Sequence, residues 1–113
     1  CGGLAKAINL AHEYVQRLKP ELKIEVETRS LEDVATVVEM GVGKVFRIML
    51  DNFTPEKISE ALLLIDGKFE TEASGGINLT NIDAYAKTGV DYVSVGALIH
   101  QARSLDLSLK AEI

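Results

Sequence analysis

The stretch ETEASGGINL, residues 70–79, decides the fold, because it predicts a β-strand that ends in a turn of small residues and leads into a helix. Residues 69–73 can run extended, and Ser74, Gly75 and Gly76 are small enough for a ligand to approach the backbone closely. Such a turn directs backbone N–H groups and the positive end of a helix dipole to one place, which favours phosphate binding. The same glycines also suit an ordinary tight turn, so this motif alone leaves both interpretations open.

The same order of strand and helix recurs along the chain. Apolar residues three and four positions apart predict a first helix over residues 3–19. Four strands are then predicted, at residues 23–28, 44–50, 69–73 and 91–95. Each is followed by a predicted helix, with the bounds 30–39, 54–65, 79–87 and a last segment through Ser104, and with Ser30, Thr54, and Asn78 or Thr80 as caps. This rhythm predicts a parallel sheet with right-handed crossovers.

One face of every predicted strand is apolar and the other is polar. The polar positions include Glu25, Glu27, Arg47, Asp51, Glu70, Glu72, Ser74 and Ser94. Helices on both sides of an open sheet would make both faces apolar. We therefore predict an α/β fold whose parallel βα units form about half of a TIM-like α/β barrel, with Arg47 neutralising Glu25 or Glu72 in the interior. A two-layer domain with a solvated polar face is the alternative.

Composition narrows the classes of function. The chain has 113 residues, of which 47% are hydrophobic and 26% charged, and its net charge is −5. The acidic balance argues against nucleic acid or an anionic membrane as partner, and no apolar run approaches the roughly 20 residues of a membrane span. The single cysteine, Cys1, cannot form an internal disulfide, which favours a reducing cytoplasm. A first residue other than methionine suggests that a preceding segment is omitted.

The candidate ligand site lies at the carboxyl ends of the predicted strands. Glu27 and Asp51 end neighbouring strands, and their carboxylates suit Mg²⁺ or sugar hydroxyls. A second small turn, Gly96 and Ala97, follows the fourth strand, and with the first turn it suggests a phosphate cradle. The ligand predicted from these residues is a pentose phosphate. His100 is expected in the first turn of the last helix, either reaching the phosphate or simply on the surface.

Five runs of the chain resemble, in order, the C-terminal half of the quinolinate phosphoribosyltransferase family. They are IEVETRSLEDV, RIMLDNFTPE, FETEASGGINL, TGVDYVSVGALIH and SLDLSLK, and the likeness covers essentially residues 1–113. This resemblance implies that the chain is the C-terminal part of an α/β-barrel domain, with an N-terminal sandwich domain and the first part of the barrel outside it. It also implies dimers or hexamers of dimers, in which the partner's N-terminal domain completes the site.

The activity implied by the resemblance is transfer of phosphoribosyl from phosphoribosyl pyrophosphate to quinolinate. The products are nicotinate mononucleotide, pyrophosphate and carbon dioxide, in NAD synthesis. Glu27 and Asp51 would hold the ribose hydroxyls and Mg²⁺, and the two small turns, with His100 beside them, would bind the 5′-phosphate. The cationic residues that hold the quinolinate carboxylates are expected before Cys1.

Two other functions stay open from the sequence. Another phosphate-binding barrel enzyme, such as a phosphoribosyl-anthranilate-type isomerase or a phosphosugar synthase, would also need a phosphate cradle; the paired acids with the EASGG run argue against it. A non-catalytic binding or assembly module that keeps only the cradle is the alternative from a different class.

Overall fold

A computed structural model describes residues 2–18, 22–96 and 98–102. Its elements are α1 Gly2–Leu18, β1 Glu25–Thr28, α2 Leu31–Gly41, β2 Arg47–Asp51, α3 Pro55–Ile65, β3 Glu70–Ser74, α4 Ile82–Ala86, β4 Tyr92–Val95 and β5 Leu98–Gln101. The strands form one sheet in the order β1-β2-β3-β4-β5, and the first three pairings are parallel. The predicted α/β fold with consecutive parallel βα units, the arrangement of part of a TIM-like barrel, is confirmed.

Local side-chain hydrogen bonds determine where α2 and α3 begin. The Ser30 hydroxyl accepts a hydrogen bond from the Asp33 amide at 3.1 Å, and the Thr54 hydroxyl accepts one from the Lys57 amide at 3.2 Å. Both residues are extended, as N-caps are, and Pro55 occupies the first turn of α3. Each cap satisfies an amide that the helix itself leaves without an acceptor. Both predicted caps are confirmed.

The core lies between the helices and one face of the sheet. The side chains of Ile48, Leu50, Ala73 and Val93 are wholly buried there and come from β2, β3 and β4. The helices cover them with a second set of buried residues, which includes Val34, Val37, Ile58 and Ala61. The prediction of one apolar and one polar face is therefore confirmed. Burial of this apolar face is the main favourable term in the fold.

A polar contact at the edge of this core joins β3 to Asp91, the residue before β4. The Thr71 hydroxyl donates to the Asp91 carboxylate at 3.1 Å and accepts from the Asp91 amide at 3.1 Å. The Thr71 amide also donates to the same carboxylate, at 2.9 Å. Because Thr71 is 2% exposed, these bonds satisfy polar groups that would otherwise be costly to bury.

The prediction of a helix after the fourth strand is wrong. Residues 98–101 instead form β5, which pairs antiparallel with β4. Gly96, with φ +63°, begins the two-residue connection between Val95 and Leu98, and a positive φ at this position is typical of tight hairpins. Ala97 and Ser104 lie outside the described residues.

The helix predicted over residues 79–87 begins later, at Ile82. The Asn78 side chain accepts hydrogen bonds from the amides of Thr80 and Asn81, so these residues form a separate turn. Asn78 therefore caps a turn that precedes the helix. Within residues 2–18, 22–96 and 98–102, no helix has the length and apolar character that crossing a membrane requires.

We expect Thr54→Ala to lower the free energy of unfolding by about 1 kcal/mol, because it removes the hydroxyl that caps α3. Thr54→Ser keeps that hydroxyl and should lose much less. Thr80→Ala, at an exposed position before α4, is the matched control. Urea denaturation followed by circular dichroism measures all three changes, and equal stability of the Ala and Ser variants would contradict the role of the cap.

Candidate active site

The carboxyl ends of β1, β2 and β3 bring three of the predicted site residues to one edge of the sheet. Asp51 is beside Ser74 in the pairing of β2 with β3. Glu27 is beside Met49, which lies two residues before Asp51 on β2. Residues two apart on a strand share a face, so Glu27, Asp51 and Ser74 lie together on the polar face.

One cation reaches both carboxylates at this edge. Nε of Arg29 donates a hydrogen bond to Oε2 of Glu27 at 3.0 Å and lies 3.6 Å from Oδ2 of Asp51. The side chains of Glu27 and Asp51 are 44% and 28% exposed, so solvent or a ligand can reach both. The arrangement is two converging carboxylates with one positive group between them.

Asp51 is also joined to the small-residue turn after β3. The Ser74 hydroxyl donates to Oδ1 of Asp51 at 3.3 Å, and the Asn52 amide donates to the Ser74 carbonyl at 2.8 Å. Gly75 packs so closely here that an added Cβ would lie 2.9 Å from Oδ1 of Asp51. Asp51, which is predicted to bind metal or ribose, therefore packs directly against the Ser74–Gly76 turn, which is predicted to bind phosphate.

The turn itself has a backbone that favours glycine. Gly75 and Gly76 have φ of +85° and +71°, a conformation that L side chains adopt only with strain. The Asn81 side chain donates to the Gly76 carbonyl at 2.9 Å and accepts from the Asn78 amide at 2.8 Å. Asn81 was not among the predicted site residues, although an asparagine a few residues beyond a glycine turn is a common source of such bonds. It fixes the far side of the turn.

The remaining predicted residues are not all on this face. Gly96 is in the connection from β4 to β5, and Ala97 is outside the described residues. His100 is in β5 opposite Val93, not in a helix as predicted. Because directly opposite residues of an antiparallel pair share a face, His100 lies on the side of buried Val93 and not on that of Asp51. The roles predicted for Gly96, Ala97 and His100 in phosphate binding stay predictions.

Below the strand ends, the polar face is held together by Arg47. Its guanidinium lies 2.9 Å from Glu70, 3.6 Å from Glu72 and 3.8 Å from Glu25, taking the nearest carboxylate oxygen of each. It also stacks 4.2 Å from the centre of the Tyr92 ring. The predicted pairing of Arg47 with Glu25 or Glu72 is confirmed for both as ion-pair contacts, and the closest partner, Glu70, is one that the sequence did not predict.

Glu72 is the most buried of these acids, with 1% of its side chain exposed. Oε2 accepts a hydrogen bond from the Ser94 hydroxyl at 2.8 Å. Among the described residues Oε1 has no hydrogen-bond donor, and Arg47 at 3.6 Å is its cationic neighbour. A buried carboxylate oxygen without a donor is costly. The polar face therefore places three carboxyl groups around one guanidinium.

The crowding of these charged groups shifts the pKa of two residues in the cluster. Burial, followed by the charge of Glu72 and a hydrogen bond to it, raises the pKa of Glu25, and the charge of Arg47 only partly opposes this. Burial by itself would lower the pKa of Arg47, but the hydrogen bond and charge of Glu70, with the charge of Glu25, outweigh it and raise that pKa. Arg47 is thus a permanent cation that holds carboxyl groups together.

A cavity of about 250 Å³ lies elsewhere, lined by residues that include Glu70, Val90, Asp91 and Tyr92. Glu70 and Tyr92 are the first residues of β3 and β4, so this cavity is at the amino ends of the strands. In parallel βα folds, ligands bind at the carboxyl ends. The edge with Glu27 and Asp51 is therefore the stronger candidate.

The carboxylates at this edge fit one mode of Mg²⁺ binding. Among the described residues, no group of three or more His, Cys, Asp and Glu side chains is arranged to hold a metal. Glu27 and Asp51 do converge on one positive nitrogen, that of Arg29. Mg²⁺ is commonly held by one or two carboxylates, with water and substrate oxygens completing its shell. The two carboxylates fit that mode and do not form an all-protein cage.

Comparison with known proteins identifies the family of this chain. Residues 1–110 match the family described as "Quinolinate phosphoribosyl transferase, C-terminal domain". The chain belongs to the quinolinate phosphoribosyltransferase family. The match spans α1 through β5, and so includes every element that carries a site residue.

Individual members of this family show the same relation. A chloroplastic nicotinate-nucleotide pyrophosphorylase (carboxylating) of Arabidopsis thaliana is 38% identical over 98% of this chain and 35% of its own length. A probable nicotinate-nucleotide pyrophosphorylase (carboxylating) of Methanocaldococcus jannaschii is 44% identical over 95% of this chain and 38% of its own. The structure of the Francisella tularensis nicotinate-nucleotide pyrophosphorylase superposes with a TM-score of 0.71 and 36% identity, covering 88% of this chain and 34% of that one. The chain thus spans about a third of the length of the relatives it matches.

We expect Gly75→Ala to disrupt this site and to lower the free energy of unfolding by roughly 2–3 kcal/mol. The new Cβ would meet Oδ1 of Asp51 and the backbone nitrogen of Asn52, and the φ of +85° adds strain. Gly76→Ala is the matched control, because its φ is +71° but its nearest contact is at 3.9 Å, so it should lose only about 1 kcal/mol. Equal losses in urea denaturation would mean that Gly75 does not pack against Asp51 in solution.

Glu25→Gln should change how stability depends on pH. Because the pKa of Glu25 is raised above 4.5 in the folded protein, the folded state holds this proton to a higher pH than the unfolded chain does. Its contribution to stability is therefore present below about pH 4.5 and is lost as pH rises through the folded pKa. The unfolding free energy of wild type relative to Glu25→Gln should fall over that interval.

Denaturant titrations at several pH values measure this difference. Glu60→Gln, at an exposed position on α3, removes the same charge away from Arg47 and is the control. A fall of the same size in the stability difference between wild type and Glu60→Gln would attribute the effect to net charge and not to the surroundings of Glu25. A parallel pH dependence for wild type and Glu25→Gln would contradict the raised pKa of Glu25.

Proposed function

We propose that this chain supplies the ribose-phosphate part of the active site of an enzyme that transfers phosphoribosyl from phosphoribosyl pyrophosphate to quinolinate. The products would be nicotinate mononucleotide, pyrophosphate and carbon dioxide, for NAD synthesis. The observation that carries the proposal is that Asp51 packs directly against the Ser74–Gly76 turn. Asp51 also converges with Glu27 on one cation, Arg29. A sugar phosphate needs both kinds of group within the length of a single pentose.

Glu27 and Asp51 are the groups we assign to the ribose. Ionised carboxylates only accept hydrogen bonds, so they suit the 2′- and 3′-hydroxyls, which donate them. The Ser74 hydroxyl already donates to one oxygen of Asp51, which fixes that carboxylate while leaving Oδ2 on the side of Glu27 and Arg29. A carboxylate held in this way orients the sugar without rearranging, and such positioning lowers the barrier to reaction.

The 5′-phosphate is assigned to the glycine turn. Gly75 and Gly76 lack side chains that would obstruct a close approach to the backbone, and successive backbone N–H groups in a turn can form an anion-binding concavity. The Gly76 carbonyl already accepts a hydrogen bond from the Asn81 side chain. Because α4 has only five residues and begins at Ile82, backbone amides of the turn contribute more here than a helix dipole.

Glu27 and Asp51 would also hold Mg²⁺, which supplies electrostatic stabilisation of the departing pyrophosphate when it is bound. The same two side chains keep the ribose C1 atom in place while positive charge develops on it, and their negative charge favours that development. We assign no nucleophile and expect no covalent intermediate. Loss of carbon dioxide from quinolinate needs cationic groups, which we assign to parts of the protein other than this anionic edge.

The partners and compartment form part of the same proposal. Phosphoribosyl pyrophosphate and quinolinate are the proposed substrates, and we propose a homodimer or a hexamer of dimers in which a neighbouring subunit completes the quinolinate pocket. A cytoplasmic location is favoured by the single cysteine. The Arabidopsis thaliana relative is named as chloroplastic, so an organelle is the competing location.

Glu27→Gln and Asp51→Asn test the proposal in the protein encoded by the full reading frame. We expect each to lower kcat for nicotinate mononucleotide formation by at least about 100-fold, because a neutral amide neither binds Mg²⁺ well nor stabilises positive charge at C1. Glu39→Gln, at an exposed position near the end of α2, is the control and should leave turnover unchanged. Near-normal turnover in both site variants, with intact circular dichroism, would overturn the assignment.

A further inference from the structure

Arg29 holds a position in the site that none of the proposed catalytic roles explains. It directly follows β1, and its Nε lies 3.0 Å from Oε2 of Glu27 and 3.6 Å from Oδ2 of Asp51. Its own backbone amide donates to Asp33 at 3.1 Å, which fixes the start of the side chain. The guanidinium therefore occupies the place between two carboxylates where a bound cation would make its contacts.

The exposure of Arg29 indicates that this contact is exchangeable. Its side chain is 75% exposed, whereas that of Arg47, the other arginine on this face, is 19% exposed and stacks on Tyr92. Exposed ion pairs contribute little to stability, because water screens them and the side chains lose freedom when they pair. The ion pairs of Arg47 are thus permanent, whereas Arg29 can break its ion pairs at a small cost in free energy.

We propose that Arg29 is a built-in counter-ion that competes with the divalent metal for Glu27 and Asp51 and thereby sets the metal affinity of the site. The inference rests on the proposed function only in taking Glu27 and Asp51 as the metal carboxylates. Without metal, Arg29 offsets the repulsion between the two acids. When metal binds, Arg29 gives up Oε2 of Glu27 and remains nearby, because Asp33 holds its backbone.

Competition by Arg29 has two physical consequences for metal binding. The metal must first break the contacts of Arg29 with the carboxylates, and afterwards the displaced guanidinium repels it at short range. Removing the charge of Arg29 removes both costs. Metal affinity should therefore rise when Arg29 is neutralised, whereas it should fall if Arg29 merely supports the site.

The test is direct measurement of Mn²⁺ binding, because Mn²⁺ prefers the same oxygen ligands as Mg²⁺ and its free form is detected by electron paramagnetic resonance. The protein encoded by the full reading frame is titrated without substrate. We expect Arg29→Gln to lower the dissociation constant by about 1.4- to 5-fold, the range that corresponds to loss of an exposed ion pair. Arg29→Lys keeps a cation and should stay near the wild-type value.

Arg17→Gln is the matched control for loss of one positive charge. Arg17 is exposed in the last turn of α1. Its neighbour Gln16 lines a cavity with Leu22 and Lys23, which precede β1, so Arg17 lies toward the opposite end of the strand from Glu27. Its substitution should leave Mn²⁺ affinity unchanged. A Glu27→Gln, Asp51→Asn double variant should abolish the binding and so identifies the signal as that of this site.

The outcomes separate this inference from the proposed function. Tighter binding in Arg29→Gln alone supports competition by Arg29. Equal or weaker binding in Arg29→Gln overturns it, while the metal role of Glu27 and Asp51 stands if the double variant no longer binds. No Mn²⁺ binding in any variant overturns both the competition and the metal role of the two acids.

Discussion

The polar face of the sheet depends on a single guanidinium. The parallel register places Glu25, Arg47 and Glu70 side by side, with Glu72 two residues further along β3. Three carboxylates this close would repel one another strongly in a partly buried setting, and Arg47 offsets that repulsion by contacting all three. Without it, the strands that carry the candidate site could not keep this register at low cost. The site at the strand ends is therefore supported by an ion cluster that lies beneath it on the same face.

Among the described residues, two arginines on the same face have different physical settings. The cation deeper in the sheet is confined by an aromatic ring and three acids, whereas the cation at the strand end reaches its two acids from solvent. Burial makes an ion pair expensive to break, and exposure makes it easy to exchange. A site that must admit a metal or a sugar needs exchangeable contacts at its mouth and permanent ones beneath it. The difference in side-chain exposure between Arg29 at the strand ends and Arg47 beneath it provides these two kinds of contact.

Much of the fold could be predicted because its signals are local. Ser30 and Thr54 cap helices through bonds to amides three residues away, and alternating residues define the two faces of each strand. The last strand could not be predicted in this way, since residues 98–101 become extended by pairing with β4 and not through a local pattern. The clustering of Glu27, Asp51 and Ser74 followed from strand ends alone, but the bonds of Arg29 and Asn81 depend on side-chain directions that spacing does not give.

The charge of this edge constrains how any phosphorylated substrate can approach it. The chain has a net charge of −5, and its candidate site presents two carboxylates above a cluster that keeps a buried carboxylate oxygen without a hydrogen-bond donor among the described residues. A pyrophosphate group would be repelled by such a surface unless cations accompany it. A divalent metal can supply that charge at the carboxylates themselves, and it does so only where the carboxylates are free to receive it. Under the proposed function, a weakly held arginine would satisfy both requirements, because it would offset the charge of the acids before the substrate binds and release them to a divalent cation that accompanies the substrate.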